Sequence, residues 1–263
     1  MLLAIDIGNT QTVFGLFAPG ENACRHIWRS ATRRDRTAHE WAAFLLPMLT
    51  LAGLSPADVS GVAISSVVPS LTAAMSDLSR SLTGASAVVV TADLDLGITL
   101  DVETPGEVGA DRLANSAAAF SEFGGPVVVI DLGTASKIEA ITADGRYVGG
   151  VIAPGLGLSM EALASRAARL YAVELRLVEK AIGVATVDSV QSGVVLGHAE
   201  MIAGMTRRVR DELGGVERVI LTGGYGSVLA TALPFVTNVE PELTLRGLRL
   251  IHARNRGRSA VAT

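Results

Sequence analysis

The sequence predicts an α/β protein of two like halves, each with a βββαβαβ order of elements, the pair enclosing a cleft. Three observations predict it. Leu2 to Thr10 and Val128 to Ala135 are both apolar runs that end in Asp, any residue, Gly and a small amide or hydroxyl residue, with Asp6 and Asp131 lying 125 residues apart. Repetition at that distance indicates a duplicated unit. Each half also reads as strands first and alternating helices and strands afterwards, which gives a mostly parallel sheet with an antiparallel edge. Finally, 263 residues, 49% of them hydrophobic, suffice for two domains of about 100–150 residues with real cores.

Strand-like runs at 2–6, 12–17 and 25–31 read as a meander. Thr37-Ala38-His39-Glu40 has capping-box spacing and opens a helix to about Leu51, which Pro47 is expected to kink or end. Val59 to Ser65 reads as a short buried strand. Pro69 suits the first turn of a helix to about Leu82, because the N–H it lacks would be unused there, and Ala87 to Thr91 follows as a strand. Leu113 to Phe123 reads as a linking helix and Gly124-Gly125-Pro126 as the break before the second sheet, so the division is drawn between residues 1–115 and 116–263. The second half has strands at 126–131, 136–142 and 146–152, the last two joined by an Asp144-Gly145 turn. Helices near 159–170 and 186–213, a strand at 217–221 and a helix from about Gly226 complete it.

Composition excludes several classes of function. A formal charge of −4 and a pI near 5.6 give no reason to expect nucleic acid or an anionic membrane as partner. Arg246, Arg249, Arg254, Arg256 and Arg258 form a local basic tail, read as a solvated C-terminal end. One cysteine, Cys24, rules out an internal disulfide, fits a reducing compartment and reads as a packing residue. No signal-like segment and no apolar run of about 18 residues is present, so a cytoplasmic location is expected. Lysine is rare: only Lys137 and Lys180 occur.

Chemistry concentrates at four places. Asp6-Ile7-Gly8-Asn9-Thr10-Gln11-Thr12 crowds polar groups into one turn, without the ending of a P-loop or the glycines of a dinucleotide fingerprint. A carboxylate beside exposed N–H groups and hydroxyls suits a metal–phosphate complex, although Asp and Asn are also ordinary turn residues. Asp131-Leu132-Gly133-Thr134-Ala135-Ser136-Lys137 offers the same set plus a fixed positive charge. In Pro105 to Arg112, two glycines lead into an alanine-rich helix with Asp111 and Arg112 in its first turn. There Asp111 either stabilises the helix end or accepts a proton from a substrate hydroxyl, while Arg112 can hold an anionic group. Arg218 to Thr222 is an apolar strand ending in Thr222-Gly223-Gly224, either a tight strand-to-helix turn or a place where a ring or phosphate approaches the backbone. The histidines His26, His39, His198 and His252 lack metal-ligand spacing, and no Gly-x-Ser-x-Gly elbow occurs.

Taken in chain order, along nearly the whole sequence, these residues resemble the type III pantothenate kinases of the acetate and sugar kinase, heat-shock chaperone and actin superfamily. The likeness continues through Gly149 to Gly155, Thr186 ahead of Gln191-Ser192-Gly193, and Pro241-Glu242-Leu243-Thr244-Leu245-Arg246-Gly247-Leu248. It implies two ribonuclease H-like, actin-like ATPase-type domains. It also implies ATP-dependent phosphorylation of the primary alcohol of pantothenate to 4'-phosphopantothenate, the first step of coenzyme A biosynthesis. By this likeness Asp6, Ile7, Gly8, Asn9, Thr10, Gln11, Thr12 and Val13 cradle the ATP phosphates, with Thr134 touching them and Asp6 near the magnesium–phosphate group. Gly109, Ala110, Asp111 and Arg112 bind pantothenate, Arg112 on its carboxylate and Asp111 as general base. The family is a homodimer, Thr186 touches the substrate, and Asp131 holds a monovalent cation, potassium or ammonium.

The chain departs from the family pattern at two places. Val102 stands where many members carry an aromatic residue near pantothenate, and Thr134-Ala135-Ser136-Lys137-Ile138-Glu139 replaces Thr-Ala-Thr-Thr-x-Asp. Alternation along a strand points Lys137 to solvent; the other reading puts its ammonium in place of the free cation. Two further readings of function are a catalytically impaired nucleotide-binding regulator of the same fold and a kinase for another small hydroxylated substrate.

Overall fold

A computed structural model describes residues 1–167 and 170–256. Its chain divides into two compact units, Met1–Ser121 together with the C-terminal segment from Glu242, and Glu122–Pro241. In chain order the first unit contains β1 (Leu2–Ile7), β2 (Gln11–Phe17), β3 (His26–Ala31), α1 (Ala38–Leu51), β4 (Gly61–Ser66), α2 (Pro69–Thr83), the two-residue strands β5 (Val88–Val89) and β6 (Thr99–Leu100), and α3 (Ala110–Phe123). The second contains β7 (Val127–Leu132), β8 (Ala135–Ile141), β9 (Arg146–Pro154), α4 (Leu156–Arg166), α5 (Thr186–Gln191), α6 (Gly197–Glu212), β10 (Arg218–Thr222), α7 (Gly226–Leu229) and β11 (Asn238–Val239). A last helix, α8 (Leu243–Arg254), belongs to the first unit.

The first sheet runs β3-β2-β1-β4-β5, and the five strands of the second unit stand in the matching order β9-β8-β7-β10-β11. In each, the first three strands are antiparallel and the next two join in parallel. The units are therefore two copies of one ribonuclease H-like design. In β1 the period of two sends Leu3, Ile5 and Ile7 into a core with Trp41 and Leu45 of α1 and Leu71 and Met75 of α2. Leu2 and Ala4 enter a second core with Leu113, Ala114 and Ala117 of α3 and Leu245, Leu248 and Ile251 of α8. Asp6 continues this second series. In β7, Val128, Ile130 and Leu132 pack with Val195, Ala199 and Ile202, which leaves Asp131 on the other face.

Local signals act as their chemistry dictates. Thr37 and Glu40 close the capping box of α1, with Glu40 N–H donating to Thr37 Oγ1 at 3.3 Å and Thr37 N–H to Glu40 Oε2 at 2.8 Å. Pro47 neither ends α1 nor keeps it from reaching Leu51. The helix expected over 186–213 is three segments, because a π-helical turn at Ser192–Leu196 separates α5 from α6.

Two expectations are corrected. The basic run is not a detached tail: Arg246, Arg249 and Arg254 lie on α8, the first two half-buried, while Arg254 and Arg256 are exposed and Arg254 Nε pairs with Asp95 Oδ1 at 2.9 Å. Arg258 lies outside the described residues. Leu245, Leu248 and Ile251, spaced three apart, form the apolar stripe that docks this helix. For the same reason the division is not 1–115 and 116–263: the segment from Glu242 packs with the first unit, and the break falls after Ser121.

Candidate active site

The first hairpin, β1–β2, is stiffened from β3. Gly8 N–H donates to Gln11 O at 3.0 Å and closes the turn. Thr32 donates its hydroxyl to Gly8 O at 2.7 Å and its N–H to Thr10 O at 2.9 Å, and Arg34 Nη2 donates to Asn9 Oδ1 at 3.1 Å. Thr32 and Arg34 went unnoticed in the sequence because their work depends on the β2–β3 pairing. Of the residues expected at phosphate, Ile7 and Thr12 are buried and can offer only backbone, Asp6, Gly8 and Val13 are half-buried, and Asn9, Thr10 and Gln11 are exposed.

The start of α3 stands at the ends of β1 and β4. Val67, the residue after β4, donates its N–H to Ile7 O at 3.1 Å, and a Cβ placed on Gly109 would lie 3.8 Å from Val67 Cγ1. The same Cβ would lie 2.7 Å from Asp111 Oδ1, so the carboxylate folds over the glycine. Asp111 Oδ1 accepts from Arg112 N–H at 2.8 Å, and both residues are half-buried. Gly109 and Ala110 line a cavity of about 1040 Å³ together with Val67, Leu94, Ile98 and Val108. Val102 is half-buried and does not line that cavity.

In the second hairpin, β7–β8, register pairs Asp131 with Lys137, just as Asp6 pairs with Val13 in the first. Directly opposite residues share a face, and Lys137 Nζ lies 2.8 Å from Asp131 Oδ2, both side chains only 12% exposed. Lys137 therefore does not point to solvent. The loop is clamped by glycines whose role is tertiary. A Cβ on Gly155 would sit 2.4 Å from the carbonyl oxygens of Gly133 and Thr134. Gly223, at φ +93°, would put one 2.5 Å from Leu132 N and 2.6 Å from Asp131 Oδ1. Thr134 itself is exposed at the tip. Two residues beyond Lys137 along β8, the buried Glu139 accepts from Tyr147 Oη of β9 at 2.6 Å.

Thr186 begins α5 and lines a separate cavity of about 600 Å³, with His198 and Met201 among its walls. His198 Nε2 lies 2.8 Å from Ser136 Oγ, which ties that cavity to β8. Burial holds the His198 ring below its ordinary value of 6.5. The unfolded chain therefore takes up a proton that the folded one refuses. The stabilisation is complete above the ordinary value and is lost as pH falls below it. Melting temperature should drop between about pH 7.5 and 5.5, and His198→Gln should make that drop smaller. An equal drop in the variant would remove His198 from the account.

Among the described residues no group of three or more His, Cys, Asp or Glu side chains could hold a metal ion. One carboxylate such as Asp6 is compatible with Mg²⁺, which commonly uses one or two carboxylates and takes its other ligands from phosphates and water. Asp131 does not suit a free monovalent cation, since its carboxylate already carries an ammonium. The Cys24 thiol is pushed up to about 12, first by burial and then by Glu242, so it stays protonated and serves packing.

A family model described as type III pantothenate kinase matches residues 2–208. A type III pantothenate kinase from Thermomicrobium roseum is 48% identical over 254 residues, covering 97% of each chain, and one from a Roseiflexus species is 45% identical over 97% of this chain and 100% of its own. In fold, the chain is similar to a ROK family glucokinase from Streptomyces griseus solved with glucose and AMPPNP, at TM-score 0.55 and 14% identity over 97% of this chain and 99% of that one. With the duplicated sheets and the acidic hairpins, these matches place the chain in the type III pantothenate kinase family.

Proposed function

We propose that this chain transfers the γ-phosphoryl group of ATP to the primary hydroxyl of pantothenate, giving 4'-phosphopantothenate and ADP at the entry to coenzyme A biosynthesis. The observation that carries the reading is the cavity of about 1040 Å³ walled by Gly109 and Ala110, with Asp111 and Arg112 in the adjoining first turn of α3. Arg112 binds the carboxylate of pantothenate and Asp111 takes the proton of its hydroxyl as the oxygen attacks phosphorus. The run Asp6–Val13 and Thr134 bind the phosphates through N–H groups and hydroxyls, and Asp6 holds Mg²⁺, which would neutralise charge on the transferred group. Positioning and charge neutralisation suffice, and no covalent enzyme intermediate forms.

The enzyme works as a cytoplasmic homodimer without nucleic acid or membrane partners. The acidic balance supports the lack of nucleic-acid partners. Among the described residues no helix is long and apolar enough to cross a membrane. Exposed Tyr171, Ile182 and Val184 ahead of α5 support self-association. The test is ADP release from ATP with pantothenate and with a panel of sugars and small acids. Release with pantothenate alone is expected. Release only with another acceptor means a different kinase, and ATP binding without release means a regulator.

A further inference from the structure

We infer that Lys137 supplies, as a fixed ammonium, the monovalent charge otherwise expected from a free potassium or ammonium ion at Asp131, so that catalysis by this chain needs no such ion. This rests on the kinase reading above. Its basis is the pairing itself: Asp131 and Lys137 face each other in the β7–β8 register, 2.8 Å apart between Oδ2 and Nζ. Neither side chain can leave easily. Both are 12% exposed, Thr134 O accepts from Gly155 N–H at 3.0 Å, and the backbone of Gly223 lies against Asp131 on its other side. A charge so enclosed requires a partner, and each supplies the other's.

The chemistry of the group matches the task. An ammonium is a compact single charge, close in kind to the ions it would replace, whereas a guanidinium is broad and planar. This chain has only two lysines among its 22 basic residues, and one of them stands at this position. In the first hairpin the matching position, opposite Asp6, is Val13, so the lysine is particular to the second hairpin. A potassium ion brought within about 4 Å of the Lys137 ammonium would be repelled enough, at the effective dielectric of a protein site, to weaken binding by about a thousandfold.

The full chain, exchanged into buffer free of potassium and ammonium, is assayed for pantothenate-dependent ADP release in KCl and in NaCl at equal ionic strength. Its melting curve is recorded in the same salts. The wild-type rate should differ by less than about twofold between salts and the melting curves should coincide. Lys137→Thr frees Asp131, and should lose about tenfold or more in rate without potassium, regain it in KCl and melt higher in KCl than in NaCl. Should that variant not fold, Lys137→Met, which keeps the length of the stem, should show the same potassium-specific rise in melting temperature. Potassium activation or potassium-specific stabilisation of the wild type overturns the inference, as does a Lys137→Thr enzyme equally active in both salts. A chain that releases no ADP in any salt ends the kinase reading instead, and the melting curves still decide whether Lys137 stands in for the ion.

Discussion

Asp111→Asn should lower kcat for pantothenate by about 10²- to 10⁴-fold while the Kd for ATP stays within about twofold of wild type. Asn has the shape of Asp, and its amide oxygen can still accept the Arg112 N–H bond that Asp111 Oδ1 accepts at 2.8 Å, so the first turn of α3 is kept. What the variant lacks is a basic oxygen to receive the hydroxyl proton. A small loss of helix stability also follows, because the charge favoured at the positive end of α3 is gone, but that is worth only about 0.3–1 kcal/mol and leaves turnover in the folded protein unaffected. Turnover and ATP affinity are measured separately, by single-turnover phosphorylation and by calorimetric titration of the nucleotide. Turnover near wild type would strip Asp111 of the base role. An equal loss in ATP affinity would move it to the nucleotide.

The fold was legible because its signals are local and repeat. Two apolar strands ending in Asp-x-Gly fixed the hairpins, and the capping box at Thr37 and the proline at position 69 marked helix starts where they occur. The C-terminal helix was hidden by its arginines: the charge of Arg246, Arg249 and Arg254 drew attention away from the stripe at Leu245, Leu248 and Ile251. Lys137 was misread for a different reason. Alternation along a strand says which face a side chain takes, not whether that face is wet, and all six residues of β7 beside it are buried. Its partner could have been found by folding the sequence about Thr134, which puts residue 131 opposite residue 137. The clamps at Gly155 and Gly223 and the cavity wall at Leu94 and Ile98 depend on contacts between distant segments, for which one sequence carries no spacing rule.

The second large effect is expected at Gly247, where alanine should destabilise the protein by roughly 3–5 kcal/mol. Seen in sequence, this is an ordinary glycine in a helix, and replacing such a residue by alanine normally gains up to about 1 kcal/mol. Here the added Cβ would lie 2.0 Å from Ala114 O and 2.5 Å from Ala114 C. Those atoms are backbone within α3, and no rotamer can move them away. The two helices must separate, loosening Leu245, Leu248 and Ile251 from Leu113 and Ala117. Separation also stretches the bond from Thr244 Oγ1 to Asn115 Oδ1, 2.7 Å long, on an Asn115 that is 1% exposed. Leaving such a buried polar group unmatched adds about 1–3 kcal/mol. Gly204, in α6 with nothing within 4 Å of an added Cβ, provides the control: Gly204→Ala should raise stability slightly. For a chain of this size the Gly247 variant should melt roughly 10 °C lower, and opposite signs for the two substitutions in thermal melting are the decisive result. Because α3 also carries Asp111 and Arg112 in its first turn, any folded Gly247→Ala protein should lose turnover well below its melting temperature. A variant as stable and as active as wild type would mean that α8 does not press on α3 as closely as the Ala114 contact requires.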